Sequence, residues 1–529
     1  NQGTLKMVVD GITRLGAPGG VIDPASLFEK IAWFFKGIGQ YFSGMGLPYS
    51  TGDWYWIPSR AIPFGEITEF PFFTFLYADL HAHMVALPVT GVALLWALSV
   101  YLGGYDFGRP FGWKKLALAA VGLLYGGVVI GSLRPLNTWD LPTYLGIAAA
   151  ALIFAALRSA DLFRLRDWRA RLAVGLAAAG VLGLVSFAAY EPYSRWYAQG
   201  YNAFDLWKGP YTPLNSFLTH WGLFLFILVT WLVVESVEWM SATPASSLRR
   251  LQPYKSAIIA AGAALALVVL VLLAVGVNIA WIVVPVGVWI VILLLRPGLE
   301  PGKRAALFMA GCALFLMLMV ELVTLRGDIG RMNTVFKFYL QAWVLLGAAA
   351  AAGLVWMWPK VRQQGGRGIG RGIWMVVIAL LAFNAVLYPL KAGASKIQDR
   401  MAPDAPRTLD GMDYMLYSGY SENGLDMKLE QDYRAIRWMQ DTIQGSPVIL
   451  EANIPEYRWG SRYTINTGLP GVVGWNWHQR QQRSIFGSDP VSLRVEEITR
   501  FYNSGDRAEV EAFIQKYDVR YIVVGQLEK

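Results

Sequence analysis

The chain has 529 residues, of which 55% are hydrophobic and only 16% are charged, whereas soluble domains carry roughly 25% charged residues. This composition excludes a disordered chain, a coiled coil and a disulfide scaffold. The formal net charge of +9 does not indicate a nucleic-acid partner, because the Lys and Arg residues lie in short loops between apolar runs.

Residues 1–83 form a polar and aromatic segment ahead of the first long apolar run. Within it, residues 25–42 place apolar side chains at helical spacing with few charges, which predicts an amphipathic helix. This helix would lie in the membrane interface or, equally, pack on a domain outside the membrane. The chain begins at Asn1 without a signal peptide, and we expect further residues, with further spans, to precede it.

The densest group of acidic and histidine side chains lies just before the first apolar run. Its members are Glu66, Glu69, Asp79, His81 and His83. A partly desolvated carboxylate at a membrane surface suits a general base for an acceptor hydroxyl, so Asp79 and Glu69 are the predicted catalytic residues. The spacing of Asp79, His81 and His83 also allows them to bind a divalent metal ion. Alternatively, these side chains cap the span and anchor it at the lipid headgroups.

Ten apolar runs, each of about the length that crosses a bilayer, follow one another through residue 390. The predicted spans are about 84–103, 116–133, 141–157, 171–189, 214–236, 256–275, 279–296, 304–325, 337–357 and 373–390. The loops on one side carry 18 Lys and Arg residues, and the short loops on the other side carry 6. Because basic loops stay in the cytoplasm, residues 1–83 and 391–529 are predicted to lie outside the plasma membrane, as is any chemistry.

The short outer loop between spans two and three contains Arg134, Asn137 and Asp140. Arg134 would pair with Asp140 or bind a phosphate. An equally good interpretation is a turn in which Asp140 caps the third span. His220, near the outer end of span five, is more typical of a packing residue than of a ligand, although its position keeps the ligand interpretation open.

The most polar of the short outer loops, residues 321–341, places three cations near one acid. These residues are Arg326, Arg331, Lys337 and Asp328. Such a group suits the phosphate of a lipid-linked donor. Binding of ordinary lipid headgroups is an equally good interpretation.

Residues 391–529 are more highly charged and have shorter apolar runs. Helical patterns at 432–443, 491–502 and 508–516 alternate with strand patterns at 447–452 and 519–524. This alternation predicts a small α/β domain. Trp475 and His478 lie in a segment rich in Trp and Arg, which suits sugar rings and phosphates or, equally, packing against the membrane face.

Six segments resemble the "YYY" family of highly hydrophobic archaeal and bacterial membrane proteins. They are EFPFFTFLYADLHAHMVALP, LRPLNTWDLPTYL, NSFLTHWGLFLF, RGDIGRMNTVFKFYLQAW, TLDGMDYM and TGLPGVVGWNWHQRQQR. The resemblance runs in order from about residue 50 to residue 529. The tyrosine triplet that names the family is not in this chain, and we expect it upstream.

That family is distantly similar to the GT-C membrane glycosyltransferases, which use sugars linked to a polyprenyl phosphate. The resemblance implies a large first outer loop bearing a catalytic acid, most naturally Asp79. It also implies that the cations of residues 326–337 hold the donor phosphate.

The chain is therefore predicted to be a polytopic α-helical membrane protein with about ten spans, a GT-C-like fold and a small C-terminal α/β domain on the outer face. Its expected parts are an outer loop with an interfacial helix (1–83), the bundle of spans (84–390) and the extracytoplasmic domain (391–529). The expected partners are membrane lipids, a lipid-linked sugar donor and an acceptor glycan or protein, with no nucleic acid.

The leading functional hypothesis is an inverting glycosyltransferase. One alternative is a non-catalytic subunit or scaffold of a membrane assembly. A transporter or flippase is a weaker alternative, because the spans contain few polar residues, among them Glu235 and Asn384.

Overall fold

The computed structural model describes residues 1–103, 112–159, 167–197, 203–327, 329–364, 369–422, 424–484 and 489–529. In chain order its α-helices are α1 Gly3–Gly16, α2 Leu27–Phe42, α3 Asp53–Trp56, α4 Pro71–Tyr77, α5 Ala82–Gly103, α6 Trp113–Leu136, α7 Asp140–Arg158, α8 Trp168–Ala188, α9 Glu191–Trp196, α10 Leu214–Ala242, α11 Lys255–Ala274, α12 Ala280–Leu294, α13 Pro301–Leu322, α14 Arg331–Gln364, α15 Ile369–Arg400, α16 Leu429–Thr442, α17 Arg462–Thr467, α18 Asn476–Gln482, α19 Pro490–Asn503 and α20 Arg507–Tyr517. The strands are β1 Phe204–Leu206, β2 Val323–Leu325, β3 Gly419–Glu422, β4 Leu425–Lys428, β5 Val448–Leu450 and β6 Val519–Ile522.

These elements form two compact units. The larger unit comprises Asn1–Glu191 and Ala203–Asp399, and the smaller comprises Pro192–Asn202 and Arg400–Lys529. The last long helix, α15, runs to Arg400. The two units therefore divide between Asp399 and Arg400, whereas the sequence predicts the division after residue 390.

Nine helices of the described residues are long and apolar enough to cross a membrane. They are α5, α6, α7, α8, α10, α11 with the turn before it, α13, α14 and α15. The seventh predicted span is the apolar helix α12, which has only 15 residues. At about 1.5 Å per residue it is shorter than the roughly 30 Å hydrocarbon core. Nine of the ten predicted spans are therefore helices long and apolar enough to cross a membrane, and the tenth, α12, is shorter.

Helix α14 provides much of the core of the larger unit. Val335, Ala342 and Leu345 on this helix are fully buried, and α14 packs against α13 and α10. Close packing requires a small residue at Gly353, because a Cβ atom there would stand 2.7 Å from the Trp231 ring. Helices α11 and α15 instead expose most of their apolar surface, as expected for helices that face lipid.

The predicted helix at residues 25–42 is confirmed as α2. It begins with a reciprocal capping box between Ser26 and Glu29, which satisfies two free backbone donors. Phe28, Phe35 and Phe42 are exposed along it. This apolar stripe fits a helix that lies in the membrane interface, which remains a prediction.

The smaller unit contains the predicted α/β elements. Helices α16, α19 and α20 match the three predicted helices, and β5 and β6 match the two predicted strands. The strands pair in parallel, with Val448 opposite Val519. The unit also contains the antiparallel hairpin β3–β4, which the sequence did not indicate.

Candidate functional site

Three polar segments that are far apart in the sequence meet at one end of the larger unit. Lys337 Nζ donates a hydrogen bond to Asn137 Oδ1 at 3.0 Å, and Gln341 Nε2 donates one to Asp140 Oδ1 at 2.8 Å. The Phe336 ring lies 4.5 Å from the His83 ring, centroid to centroid. The segment before α5, the turn before α7 and the start of α14 therefore form one candidate site.

The first part of this site is an open cluster, defined here as Glu69, Asp79, His81 and His83. Helix α4 ends at Tyr77 and is followed by Ala78, whose φ of 56° turns the chain, and α5 begins three residues after Asp79. Asp79 and His81 are exposed, whereas Glu69 and His83 are buried. The cluster therefore contains an exposed carboxylate that is close in sequence to two imidazoles, and a buried carboxylate that faces one of them.

Within the open cluster, contacts run from Glu69 through His83 to His81. The Nδ1 atoms of His81 and His83 are 2.8 Å apart, so the N–H of one ring donates a hydrogen bond to the nitrogen of the other. His83 Nε2 lies 3.5 Å from Glu69 Oε2. A carboxylate that faces one imidazole nitrogen favours the tautomer with its proton on that nitrogen. Glu69 and His83 can therefore orient His81, which reaches solvent.

Glu69 also pairs with a half-buried cation. Its Oε1 atom lies 3.3 Å from the Arg60 guanidinium, which stacks over the Trp56 ring at 4.2 Å. Burial lowers the pKa of Arg60, and Glu69 opposes that shift. Because Glu69 is already engaged by Arg60 and His83, it suits a positioning role better than that of the proton acceptor.

The expected metal ligands do not form a ligand set in the described residues. Asp79, His81 and His83 are close in sequence, but the two rings contact each other and His83 also faces Glu69. Nowhere in the described ranges do three or more His, Cys, Asp or Glu side chains come together to hold a metal ion.

The second part of the site contains two cations near the turn before α7. Lys337 is half-buried and lies 5.1 Å from the centroid of the Phe336 ring. Arg134, one turn before Asn137, lies over the Phe187 ring at 5.5 Å, and its buried Nε atom has no hydrogen-bond partner. Arg134 therefore keeps donor capacity for an anion.

The predicted pair between Arg134 and Asp140 is not formed. Asp140 is buried, and Gln341 donates a hydrogen bond to its carboxylate. Helix α7 does begin at Asp140, but its N-cap residue is Trp139, with no side-chain capping bond.

Arg331 lies in a closed cluster, defined here as Glu66, Thr212, Glu321 and Arg331. Arg331 Nε donates to Glu66 Oε1 at 3.1 Å, and Nη2 donates to Glu321 Oε1 at 2.9 Å and to Thr212 Oγ1 at 3.1 Å. At least 96% of the accessible surface of each of these four residues is buried. Arg331 therefore holds chain segments together and is not placed to receive a phosphate.

Strand pairing builds the closed cluster. Strands β1 and β2 are antiparallel, with Asp205 opposite Thr324, which brings residue 212 beside the end of α13. The Thr212 amide then donates to Glu321 Oε2 at 3.0 Å. The sequence did not indicate Thr212 or Glu321 as members of a site, and no local pattern marks this pairing of short strands.

Arg326 lies on the surface, away from both clusters' buried groups. Its guanidinium donates to the two carboxylate oxygens of Asp205 at 2.6 and 3.0 Å. These hydrogen bonds lower the pKa of Asp205 and raise the pKa of Arg326. The three cations predicted to act together are thus separated, and only Lys337 belongs to the candidate site. Asp328 lies outside the described residues.

His220 is a packing residue by its surroundings. It is 3% exposed, and its ring lies against those of Phe70, Trp221 and Tyr339. It does not join His81 and His83 in a group of metal ligands among the described residues.

A polar cleft of about 690 Å³ lies beside the candidate site in the larger unit. Its lining includes Arg14, Tyr49, Arg60 and Asn215. Arg60 connects this cleft to the open cluster, because it also pairs with Glu69. The volume is within the range of small-molecule sites, about 300–1,000 Å³.

Trp475 and His478 belong to the smaller unit, where they form an aromatic group with Tyr457. Tyr457 Oη and His478 Nε2 are 3.1 Å apart, and the Trp475 ring lies 5.8 Å from the His478 ring. The sequence predicts that these rings stack against a sugar ring. That use stays a prediction.

Sequence comparison adds one match. The profile of a family described as "Uncharacterized membrane protein (DUF2298)" matches residues 8–346. The matched range includes the open cluster, the closed cluster and the turn before α7. No curated protein matches the chain.

Proposed function

We propose, from the premise that this chain belongs to the DUF2298 family of uncharacterized membrane proteins, that it is a membrane glycosyltransferase of GT-C type. It would transfer a sugar from a lipid-phosphate-linked donor to an acceptor hydroxyl at the membrane surface. The likeness to GT-C enzymes and to the "YYY" proteins is part of this proposal.

The open cluster is the observation that carries the proposal. Asp79 is an exposed carboxylate just ahead of the first apolar helix, and it lies two residues before His81, which ends the contact chain Glu69–His83–His81. A base positioned at such a surface contributes about 10²–10⁴-fold to proton transfer.

The proposed reaction is a single displacement with inversion. The acceptor oxygen bonds to the anomeric carbon while the bond from that carbon to the phosphate oxygen breaks. Asp79 takes the acceptor proton, and the bonding electrons leave with the lipid phosphate. Lys337 and Arg134 stabilise the charge that develops on this phosphate, and Glu69 and His83 position His81 beside Asp79.

The polar cleft would receive the acceptor. Arg60 faces both the cleft and Glu69, so an acceptor bound there would lie next to the open cluster. For Trp475 and His478 we propose stacking against sugar units within the smaller unit.

The transfer assay tests the proposal. Membranes containing the parent chain, Asp79→Asn or the control Asp404→Asn would receive a panel of radiolabelled polyprenyl-phosphate hexoses. Asp404 is also exposed, so its variant controls for loss of one surface carboxylate. We expect Asp79→Asn to lose about 10²–10⁴-fold in transfer while it folds normally. Unchanged transfer would remove Asp79 from the mechanism, and no transfer from any donor would contradict the proposed function.

We further propose that the site faces outward across the plasma membrane, because the loops at the opposite end carry most of the basic residues. Ser43→Cys and Ser246→Cys place an exposed thiol at each end. In a background where Cys312, the one native cysteine, is replaced by serine, an impermeant maleimide should label only Ser43→Cys in intact cells. Labelling of Ser246→Cys alone would show that the topology is the reverse of the one proposed.

A specific observation favours a second candidate, a non-catalytic subunit of a membrane assembly. Arg331 and Arg326 are both fully engaged by carboxylates, as expected where charges hold a scaffold together. This candidate predicts that transfer by the complete assembly is insensitive to Asp79→Asn. Transport is less well supported, because buried Glu235 pairs with Lys303 and Arg296 instead of facing a pathway.

A further inference from the structure

An apolar slot lies in the larger unit at the end opposite the candidate site. It is about 520 Å³ in volume and lies among α5, α7, α12 and α13. Its walls include Leu98, Ile147, Ala151, Phe308 and Met309. The candidate site is formed by the beginnings of α5 and α7, whereas the slot is lined by their second halves.

The slot is open toward the region that lipid would occupy. Three of its apolar lining residues are exposed: Leu295 at 77%, Val291 at 53% and Phe154 at 44%. In helices that cross a membrane, exposed apolar surface contacts acyl chains. An acyl chain can therefore enter this slot sideways without passing through water.

Arginine side chains lie at the end of the slot that faces the basic loops. Arg296 and Arg304 line it directly, and the Arg158 guanidinium lies 5.5 Å from the ring of Tyr101, another lining residue. Glu235 pairs with Arg296 at 3.3 Å. No carboxylate in the described part of the chain pairs with Arg158 or Arg304; their guanidiniums donate instead to the backbone carbonyls of Tyr101 and Arg296, at 3.3 and 3.1 Å.

Two buried donors at the same place lack partners. Tyr101 is only 7% exposed, and its buried hydroxyl has no hydrogen-bond partner. The Nε atom of Arg304 is likewise buried and unpartnered. Unpaired buried donors cost free energy, and a bound anion with several oxygens would satisfy them.

We propose that this slot binds one acyl chain of an anionic phospholipid from the leaflet on the basic side, with the phosphate held by Arg158 and Arg304. A guanidinium matches two phosphate oxygens at once, and the apolar walls match the chain. The positive charges of the two arginines complement the negative headgroup, which would lie at the membrane interface with the ends of α5 and α7. This site is independent of the proposed sugar transfer, which would occur at the other end of the bundle.

Lipid binding to the full chain tests this proposal. The purified protein would be titrated in detergent with palmitoyl-oleoyl phosphatidylglycerol or with phosphatidylcholine of the same chains, and bound lipid counted by native mass spectrometry. The variants are Arg304→Gln, Arg158→Gln, their combination, and Ala151→Phe, which fills the slot. Arg250→Gln is the matched control, since Arg250 is an exposed arginine in a basic loop away from the slot.

We expect phosphatidylglycerol to bind more tightly than phosphatidylcholine. Each arginine substitution should weaken its binding about fivefold and the combination about thirtyfold, by analogy with the contribution of basic side chains at anionic membranes. Ala151→Phe should weaken binding with every charge kept. Arg250→Gln should have no effect.

Three results would overturn the proposal. One is equal weakening by Arg250→Gln and Arg304→Gln, which would show attraction by net charge alone. Another is unchanged binding by a folded Ala151→Phe variant, which would exclude the slot. The third is displacement of phosphatidylglycerol by an equimolar amount of undecaprenyl phosphate, which would assign the slot to a polyprenyl lipid. If Ala151→Phe does not fold, the arginine variants and their control still decide the question.

Discussion

The open cluster and the closed cluster both place carboxylates beside basic side chains at the same end of the larger unit, yet their burial differs. In the closed cluster, Arg331 is 4% exposed and contacts two carboxylates. In the open cluster, Asp79 and His81 reach solvent. A buried charge must be paired to be tolerated, whereas an exposed one is accessible to a ligand from solvent. Burial therefore separates a structural ion network from a candidate reaction site.

The three cations of the α13–α14 loop illustrate this difference. Arg331 joins Glu66 to Glu321, Arg326 pairs with Asp205 on the surface, and Lys337 contacts Asn137 in the candidate site. Their closeness in the sequence suggested one anion site. Three different burial environments instead give them three roles, which substitutions can distinguish.

Arg331→Gln should have the largest effect, on folding. Gln keeps most of the length of the side chain but leaves Glu66 and Glu321 as buried carboxylates without a cation. Removing one partner of a buried ion pair costs about 3–5 kcal/mol. We expect a lower denaturation midpoint in detergent and poor recovery of monodisperse protein. Stability equal to that of Arg326→Gln would contradict the structural role of the closed cluster.

Lys337→Gln should have an intermediate effect, on donor binding. A hydrogen bond to a charged group contributes about 1.5–3 kcal/mol, so KM for the lipid-linked donor should rise about tenfold or more with little change in the denaturation midpoint. Lys114→Gln, at an exposed lysine near the other end of the bundle, is the control. A change in stability without a change in KM would place Lys337 with the structural charges.

Arg326→Gln should have the smallest effect. The hydrogen bonds from Arg326 hold the pKa of Asp205 below its ordinary value of 3.8. A lowered carboxyl pKa stabilises the folded state above the ordinary pKa, and that contribution is lost as the pH falls through the folded-state pKa. Denaturation curves at several pH values should therefore show a slight loss near neutrality that disappears in strong acid. A loss that grows in acid would contradict the assignment.

Several features of the fold could be predicted from the sequence because they depend on local patterns. Apolar runs identified the nine described helices that are long and apolar enough to cross a membrane, and the shorter helix α12. Alternating patterns in the last third identified α16, β5, α19, α20 and β6. The convergence of Asp79, Asp140 and Lys337 at one end followed from the order of the spans alone.

The partners of individual charges could not be predicted, because they depend on contacts between distant segments. Arg331 meets Glu66 across 265 positions of the chain, and Thr212 reaches Glu321 through the pairing of two three-residue strands. Arg134 and Asp140 are near in sequence, yet Gln341 takes the place of Arg134 as the partner. Local spacing carries no information on such choices.

The central claim is that Lys337 and Arg134 hold the phosphate of a lipid-linked sugar donor while Asp79 of the open cluster takes the proton of the acceptor. The most direct measurement is a high-resolution cryo-electron microscopy map of the protein in nanodiscs of its native membrane lipids. We expect a lipid phosphate hydrogen-bonded to Lys337, with the headgroup of that lipid within reach of Asp79. A map in which that position is filled by protein, while phosphate lies against Arg326 or Arg331, would contradict it.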